Sequence, residues 1–159
     1  MSKRKKFKRM VRKWDDPILS QVCREVGDKE DTTALERLMR DVLASYGNGA
    51  GLAAPQIGRP LRAILVGDGF IVNPEIVDHS PKQVADQEGC LSYPGVFATV
   101  FRWKWVAFTS RGRGVTKIDG FTAVVLQHEV DHLDGICLVG NEWRRQMNAA
   151  VHKQECATT

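Results

Sequence analysis

The sequence has few cysteines, no long apolar run and no visible targeting segment. Its four cysteines, Cys23, Cys90, Cys137 and Cys156, form no CxxC pair, and nothing indicates secretion, so we expect no disulfide framework. The longest apolar stretches, such as residues 121–126, are far too short to cross a bilayer. No apolar segment of a signal peptide follows the positive N-terminus. We therefore expect a cytoplasmic protein with reduced thiols and no membrane contact.

The composition that remains is typical of one globular domain. A chain of 159 residues can bury a sizeable core, and 43% hydrophobic with 26% charged residues excludes a disordered protein. We see no internal repeat and no linker.

Positive charge is concentrated at the N-terminus. Eight of the first thirteen residues are Lys or Arg, whereas the whole chain has a formal net charge of only +4. Such an arm can attract RNA or another polyanion, or it can be a solvated terminus. Because no folded recognition motif accompanies the charge, we predict a flexible arm over residues 1–13 and no specific nucleic-acid site. The arm precedes every motif, so removing it is expected to leave catalysis unchanged.

Helical and strand patterns follow the arm. Residues 16–19 are predicted to be extended, since proline disfavours a helical residue before it. Helical spacing from Leu35 to Tyr46 predicts an amphipathic helix, with Thr33 and Glu36 as a capping box and glycine at its end. Residues 61–66 and 70–73 flank a Gly-Asp-Gly turn and predict a hairpin. Residues 96–110 predict one long or two short strands.

A second helix is predicted from Asp119 to the stop at Gly135, and residues 141–155 could form a short polar helix. The fold class is therefore α+β, a single domain with sheet elements packed around a central helix. We predict a catalytic domain over residues 14–140 and a short C-terminal segment over residues 141–159.

The sharpest chemical signal is an HExxH sequence on the second helix, His128-Glu129-Val130-Asp131-His132. Histidines four residues apart share one helix face, so both imidazoles can bind one metal ion. Glu129 can then act as a proton shuttle. Five residues of this kind also arise by chance, and the alternative is two histidines on an ordinary helix.

A catalytic metal site typically needs a third protein ligand. A gluzincin would need a glutamate well downstream, but only Glu142 and Glu155 follow, and Glu142 comes too soon. A metzincin would need histidine at position 138, which is leucine. Cys90, between Gly89 and Leu91, is the better candidate, because a thiolate is a strong ligand for transition metals. The alternative for Cys90 is an inert buried thiol.

A glycine-rich loop, Gly49-Ala50-Gly51-Leu52-Ala53-Ala54-Pro55-Gln56, precedes these motifs. Its small residues let the backbone lie against a ligand, and Gln56 offers an amide donor. The loop lacks the lysine and the Ser/Thr of a P-loop, so phosphate binding is discounted.

In this order, the three clusters resemble the signature motifs of peptide deformylases: a GxGLAAxQ loop, an EGCLS segment and a QHExDH helix. All three are complete here, with Gln127 before His128. The resemblance covers roughly residues 14–140. It implies a hydrolase of protein biosynthesis that removes the formyl group from the N-terminal methionine of new polypeptides.

The resemblance also implies roles for particular residues. Cys90, His128 and His132 become the metal ligands, and Glu129 becomes the general acid/base. Gln56 and the backbone N–H of Leu91 become the oxyanion donors. The implied substrate-binding residues are Gly49, Ala50, Gly51, Glu88, Gly89, Phe121, Val124 and Val125, the last three lining the methionine pocket. Arg102, paired with Glu88, and Asp131 would support the site.

For cofactor and partners, the resemblance implies one divalent metal ion, typically Fe²⁺, with Zn²⁺, Ni²⁺ or Co²⁺ fitting the same ligands. The substrate is a formylmethionyl nascent peptide, and a monomer is expected. Ribosome docking by a basic C-terminal helix is in doubt, since Arg144, Arg145 and Lys153 are the only cations after residue 139. Phe97 stands where many bacterial enzymes have arginine, and Trp103 and Trp105 have no family role.

Two other functions compete with this one. A zinc endopeptidase would use HExxH, but lacks its downstream ligand and would not need the EGCLS segment. A metal-binding or RNA-binding protein without activity would use the basic arm, but a structural metal site does not need Glu129 as a proton shuttle.

Overall fold

The computed structural model describes residues 2–137. Its helices are α1 Lys3–Lys8, α2 Thr33–Tyr46 and α3 Gly120–Leu133, with short 3₁₀ helices at Pro17–Ser20 and Ala54–Ile57. Its strands are β1 Gly51–Ala53, β2 Ala63–Val66, β3 Gly69–Val72, β4 Glu75–His79, β5 Gln83–Cys90, β6 Tyr93–Trp103, β7 Trp105–Ser110 and β8 Arg113–Asp119. The short helix predicted over residues 141–155 lies outside the described residues.

The strands form three antiparallel sheets, in the orders β1-β2-β3, β4-β7-β8 and β5-β6. The predicted hairpin is confirmed, since Val66 pairs with Gly69 across a turn in which Gly67 has φ +55°. Residues 96–110 belong to two strands rather than one. In the described part of the chain, no helix is long and apolar enough to span a membrane.

Helix α3 lies at the centre and packs against strands of all three sheets. Its apolar side chains, such as Ala123 and Leu126, share a core with Ile64 of β2 and Val106 of β7. This confirms the predicted α+β architecture around a central helix. Trp103, to which the sequence assigned no family role, stacks on His79 with ring centroids 4.0 Å apart.

Two local predictions were wrong. The capping box on α2 is absent: Asp31 Oδ1 accepts from the N–H of Thr33 at 2.9 Å, while Glu36 pairs with Arg40 at 2.7 Å. Residues 17–20 form a 3₁₀ helix rather than an extended segment, because proline suits a first helical position and Asp16 Oδ1 accepts from the N–H of Ile18 at 3.1 Å. Asp16 itself, the residue before proline, is extended.

The N-terminal arm, for which the sequence predicted flexibility, packs on the domain. Val11 is only 3% exposed, and Phe7 and Met10 pack on the same core cluster as Met39 of α2. The N–H of Arg12 donates to the carbonyl of Gln56 at 2.7 Å. Three apolar side chains among eight cations therefore anchor the segment, because burying them removes apolar area from water.

We accordingly expect that deleting residues 1–12 destabilises the protein and lowers its activity, contrary to the expectation from sequence. The deletion removes the buried Val11 side chain and the hydrogen bond to Gln56. Val11→Ala alone should lower the free energy of unfolding by about 1–3 kcal/mol. Urea denaturation measures this, and Lys6→Ala on the exposed side of the arm should change stability by less than about 0.5 kcal/mol. Equal stability of Val11→Ala and the parent would show that the arm is not anchored.

Candidate active site

The three residues proposed as metal ligands come together from two elements. Cys90 ends β5, and His128 and His132 lie one turn apart on α3. Their ligand atoms all lie within 4.8 Å of one another, and Cys90 Sγ is 3.3 Å from His132 Nε2. Both histidines are buried. One sulfur and two imidazole nitrogens at this separation fit a single transition-metal ion.

A buried chain of charges orients His128. Glu88 Oε2 lies 2.7 Å from His128 Nδ1, and Arg102 donates to both carboxylate oxygens of Glu88 at 2.7 and 3.0 Å. Arg102 also donates to Asp131 at 2.6 Å. Since Nδ1 is held by Glu88, Nε2 of His128 remains for a metal, as in other metal sites with a carboxylate behind the histidine. The expected pair of Arg102 and Glu88 is therefore present, with Asp131 joined to it.

The pKa of Glu88 follows from these contacts. Burial by itself would raise it, but the hydrogen bonds from His128 and Arg102 lower the pKa to about 2. Glu88 is thus an anion at all ordinary pH values and stabilises the N–H form of His128 Nδ1. For His132, burial and then the positive charge of His128 keep the pKa well below its usual value, so its imidazole is neutral and able to bind a metal.

Glu129 differs from the other acidic groups of the site because its Oε2 atom has no hydrogen-bond partner in the part of the chain that the structure describes. Its side chain is buried. Burial raises the pKa of Glu129 to about 7. A carboxyl group with such a pKa can both accept and donate a proton near neutral pH.

The glycine-rich loop lies directly against Glu129. A Cβ atom on Gly51 would sit 2.5 Å from Glu129 Oε1 and 2.7 Å from Val125 Cγ1. Gly51 is therefore needed for the close approach of the backbone to the Glu129 side chain.

Gln56 is held at the end of this loop by hydrogen bonds on both sides of its amide. Its Oε1 accepts from the N–H of Ala53 at 2.9 Å, and its Nε2 donates to Ser92 Oγ at 3.2 Å. Nε2 is also 3.4 Å from Cys90 Sγ, so the amide N–H group faces the candidate metal site. Leu91, directly after Cys90, borders the same space.

These groups border one cavity of about 450 Å³. Its walls contain thirteen of the residues predicted for the site: Gly49, Ala50, Gly51, Gln56, Glu88, Gly89, Cys90, Leu91, Phe121, Val124, Val125, His128 and Glu129. His132, Arg102 and Asp131 lie behind the walls. Phe121 is 70% exposed, so it stands at the mouth of the cavity.

Several residues near the site were not found from the sequence. Ser92 accepts from Gln56, and Cys137 Sγ lies 3.8 Å from His132 Nδ1 and donates to the carbonyl of Leu19. Lys13 and Tyr46 border the cavity from the N-terminal side. Ser92 is the last residue of the EGCLS segment, so the motif could have indicated its contact with Gln56. Cys137 reaches His132 only because the chain turns at Gly135, whose φ is +72°.

Comparison with known proteins decides the family. The model of the polypeptide deformylase family matches residues 8–146. The chain belongs to the peptide deformylase family. The match begins inside the predicted arm, in keeping with the packing of Met10 and Val11.

Relatives and solved structures agree with this assignment. A peptide deformylase of Natranaerobius thermophilus is 40% identical over 140 residues, which cover 81% of this chain and 88% of the relative. The peptide deformylase of the Vibrio parahaemolyticus bacteriophage VP16T, crystallised with actinonin, is 34% identical, with a TM-score of 0.77 over 80% of this chain and 98% of its own. The Thermotoga maritima enzyme is 32% identical, with a TM-score of 0.75 over 80% of this chain and 92% of its own.

As a peptide deformylase, the chain is a metal-dependent hydrolase that removes the N-formyl group from nascent peptides. This excludes the zinc endopeptidase and the inactive binding protein, the two competing functions.

In this deformylase, Gly51→Ala is expected to lower kcat/KM by on the order of 10²-fold, because the added methyl group must displace the Glu129 carboxylate or Val125. Gly114→Ala is the matched control, since a Cβ there meets nothing within 4 Å. Kinetics with a short formyl-Met peptide provide the measurement. Turnover of Gly51→Ala at the parent rate would mean that Glu129 can move aside without loss of function.

The raised pKa of Glu129 predicts a pH dependence of stability in the metal-free protein. The folded-state pKa is about 7 against an ordinary value of 4.5, so the folded protein binds more protons than the unfolded chain between these pH values. Stability contributed by protonated Glu129 is complete below pH 4.5 and falls as pH rises through about 7. Denaturation of chelator-treated protein at several pH values should show this fall relative to Glu129→Gln. A difference between the two proteins that stays constant with pH would contradict the raised pKa.

Proposed function

We propose that Cys90, His128 and His132 hold the metal and that Glu129 is the general acid/base of deformylation. The observation that carries this assignment is the convergence of three ligand atoms, within 4.8 Å of one another, beside the buried Glu129 carboxylate, whose Oε2 has no hydrogen-bond partner between residues 2 and 137. A structural metal site has no use for such a carboxylate, which costs free energy to bury.

The family resemblance is what supports Fe²⁺ as the native metal, and the same sulfur and nitrogen atoms also accept Zn²⁺, Ni²⁺ and Co²⁺. When bound, such an ion supplies Lewis acidity that makes water a better nucleophile near neutral pH. Metal analysis of protein purified without oxygen tests the identity of the ion. Zinc at one equivalent and no iron would overturn the proposal of Fe²⁺.

Glu129 moves the proton in this mechanism. Its carboxylate takes a proton from the attacking water and returns it to the leaving amine, which becomes the free N-terminus as formate departs. Burial favours the protonated form of Glu129, which makes its carboxylate a stronger base toward the attacking water than an exposed glutamate would be. Gly51 leaves room for the carboxylate beside the cavity.

Gln56 and Leu91 stabilise the oxygen of the formyl group as it becomes negative. The Nε2 amide of Gln56 faces Cys90 and is kept in that orientation by the N–H of Ala53 on its other end. The backbone N–H of Leu91 is the second proposed donor. Fixed donors of this kind lower the barrier because they need no reorganisation during the reaction.

The substrate occupies the cavity of about 450 Å³. Phe121, Val124 and Val125 provide an apolar wall for the methionine side chain. The peptide backbone runs beside the small residues of the loop and of the strand end, which are Gly49, Ala50, Gly51, Glu88 and Gly89. Phe97, 64% exposed at the cavity, offers apolar contact to the residues after methionine.

We further infer that the enzyme works as a monomer on nascent chains in the cytoplasm, where the ribosome presents its substrate. Actinonin, which is bound in the bacteriophage relative, is a reasonable inhibitor to try on this chain.

A formate-release assay tests the function directly. The metal-loaded protein is expected to release formate from formyl-Met-Ala-Ser, and not to cleave an acetylated peptide that contains Met-Ala internally. Prior chelation should abolish release, and added Ni²⁺ or Co²⁺ should restore it. Cleavage of the internal peptide, or no formate from the loaded protein, would overturn the proposal.

A further inference from the structure

We propose that the N-terminal arm forms a binding surface for the phosphate backbone of RNA. We call this surface the basic face. It consists of six exposed cations on and next to α1: Lys3, Arg4, Lys5, Lys6, Lys8 and Arg9. RNA binding at the basic face goes beyond the proposed hydrolysis, since none of these six residues borders the catalytic cavity.

The basic face is held in place by the domain. Phe7, Met10 and Val11 pack into the core cluster next to α2, and Arg4 Nε donates to the carbonyl of Ser45 at 2.8 Å. Tyr46 Oη donates to the carbonyl of Lys8 at 3.1 Å. Six positive charges are thus displayed on an ordered segment. Ordering the arm therefore costs little when a ligand binds.

No ion pair of the described residues neutralises the charges of the basic face. Between residues 2 and 137, the ion pair of the arm joins Arg12 to Asp16 at 3.6 Å, and none involves the six cations. Since the whole chain has a net charge of only +4, the remainder is net acidic. The electrostatic potential is therefore strongly positive on one side of the molecule, and a polyanion binds there by releasing its counterions.

The apolar side chains of the arm favour RNA over a lipid surface. A helix that binds in a membrane interface needs apolar residues on the face that enters the lipid. Here Val11 is buried, and Phe7 and Met10 pack inward on the core cluster. The exposed face of the arm therefore offers charge rather than an apolar surface. Such a face suits the phosphates of RNA, which lie on the outside of the RNA molecule.

The position of the arm agrees with an RNA partner. Lys13, at the end of the arm, and Tyr46, which hydrogen-bonds to Lys8, both border the catalytic cavity. RNA bound at the basic face would lie beside the cavity mouth. If the proposed function holds, the substrate leaves an RNA-rich particle, and this surface would bring the cavity near the emerging chain.

The test compares two triple variants with equal net charge. The arm variant combines Lys5→Gln, Lys6→Gln and Arg9→Gln, which removes half of the basic face. The side chains of these three residues make no hydrogen bond or ion pair in the described part of the chain. The control variant combines Lys29→Gln, Lys82→Gln and Lys104→Gln, which removes three exposed charges elsewhere on the protein. Both variants and the parent, metal-loaded, are titrated into a fluorescent RNA duplex of about 20 base pairs at several salt concentrations.

For the arm variant we expect Kd to rise about tenfold or more, and the slope of log K against log salt to fall by about 2–3. The control variant should bind within about threefold of the parent. Equal weakening by both variants would show that only net charge matters and would overturn the proposal, as would the absence of RNA binding by the parent. Tighter binding to phosphatidylglycerol vesicles than to RNA at equal salt would also overturn it.

Formate release in the same samples separates this inference from the proposed function. The arm variant should hydrolyse formyl-Met-Ala-Ser at the parent rate. RNA binding without any formate release would remove the proposed function and leave the basic face. Formate release without RNA binding would leave the proposed function and overturn the basic face as an RNA-binding surface.

Discussion

Glu129→Gln should retain a full equivalent of metal and lose activity by at least about 10²–10⁴-fold. Glutamine keeps the shape of the side chain but cannot accept the proton of the attacking water. Because the candidate ligands are Cys90, His128 and His132, the ion itself should stay bound. Metal content and kcat/KM are measured on the same sample.

An exposed carboxylate provides the control for this variant. Glu75→Gln, at the start of β4, removes the same charge far from the cavity and should be fully active. Normal turnover in a metal-replete Glu129→Gln protein would show that another group transfers the proton. Near-normal stability of Glu129→Gln without activity would support the assigned role, since the neutral amide replaces a buried carboxylate whose Oε2 has no hydrogen-bond partner among residues 2–137.

Cys90→Ala should lose its metal on dialysis, keeping less than about a tenth of an equivalent. Removing one of three protein ligands leaves two histidines, which bind the ion far more weakly. In the parent, bound metal should protect Cys90 from alkylation, and chelation should expose the thiolate to reaction.

Cys23→Ala is the matched control for this variant. Cys23 is buried in the core beside α3, where burial raises its pKa to about 11, so its thiol is neutral and does not react or bind metal. This control should keep its metal while losing a little stability. A folded Cys90→Ala protein that retains one full equivalent would show that a different residue completes the site.

Local patterns made the helix of the active site predictable. The spacing of His128 and His132 requires only that the segment be helical, which its apolar periodicity and the stop at Gly135 already indicated. The EGCLS and GxGLAAxQ motifs similarly singled out Cys90 and Gln56 by residue type and order alone. The resemblance then assigned roles, and the fold brings those residues to one cavity.

The arm shows where reasoning from sequence failed. Eight cations in thirteen residues suggested a solvated terminus, yet Phe7, Met10 and Val11 are spaced as on one face of a helix. This helical spacing was visible in the sequence, but it involves only three apolar residues. Whether three apolar residues anchor a segment depends on the apolar surface they meet. Here that surface includes Met39 and Leu52, and the arm's own sequence does not describe it.

The sequence by itself determined the type of chemistry, because it singled out the candidate ligand residues, the candidate proton shuttle and the helix that carries most of them. The tertiary structure alone decided that Asp131 joins the expected pair of Arg102 and Glu88, that Cys137 lies beside His132, and that Glu129 is buried with no partner for its Oε2 among the described residues. The physical reason is one of range. Helical spacing and turn chemistry depend on near neighbours in the chain, whereas burial, and with it the pKa of about 7 at Glu129, depends on segments far apart in sequence that fold around it.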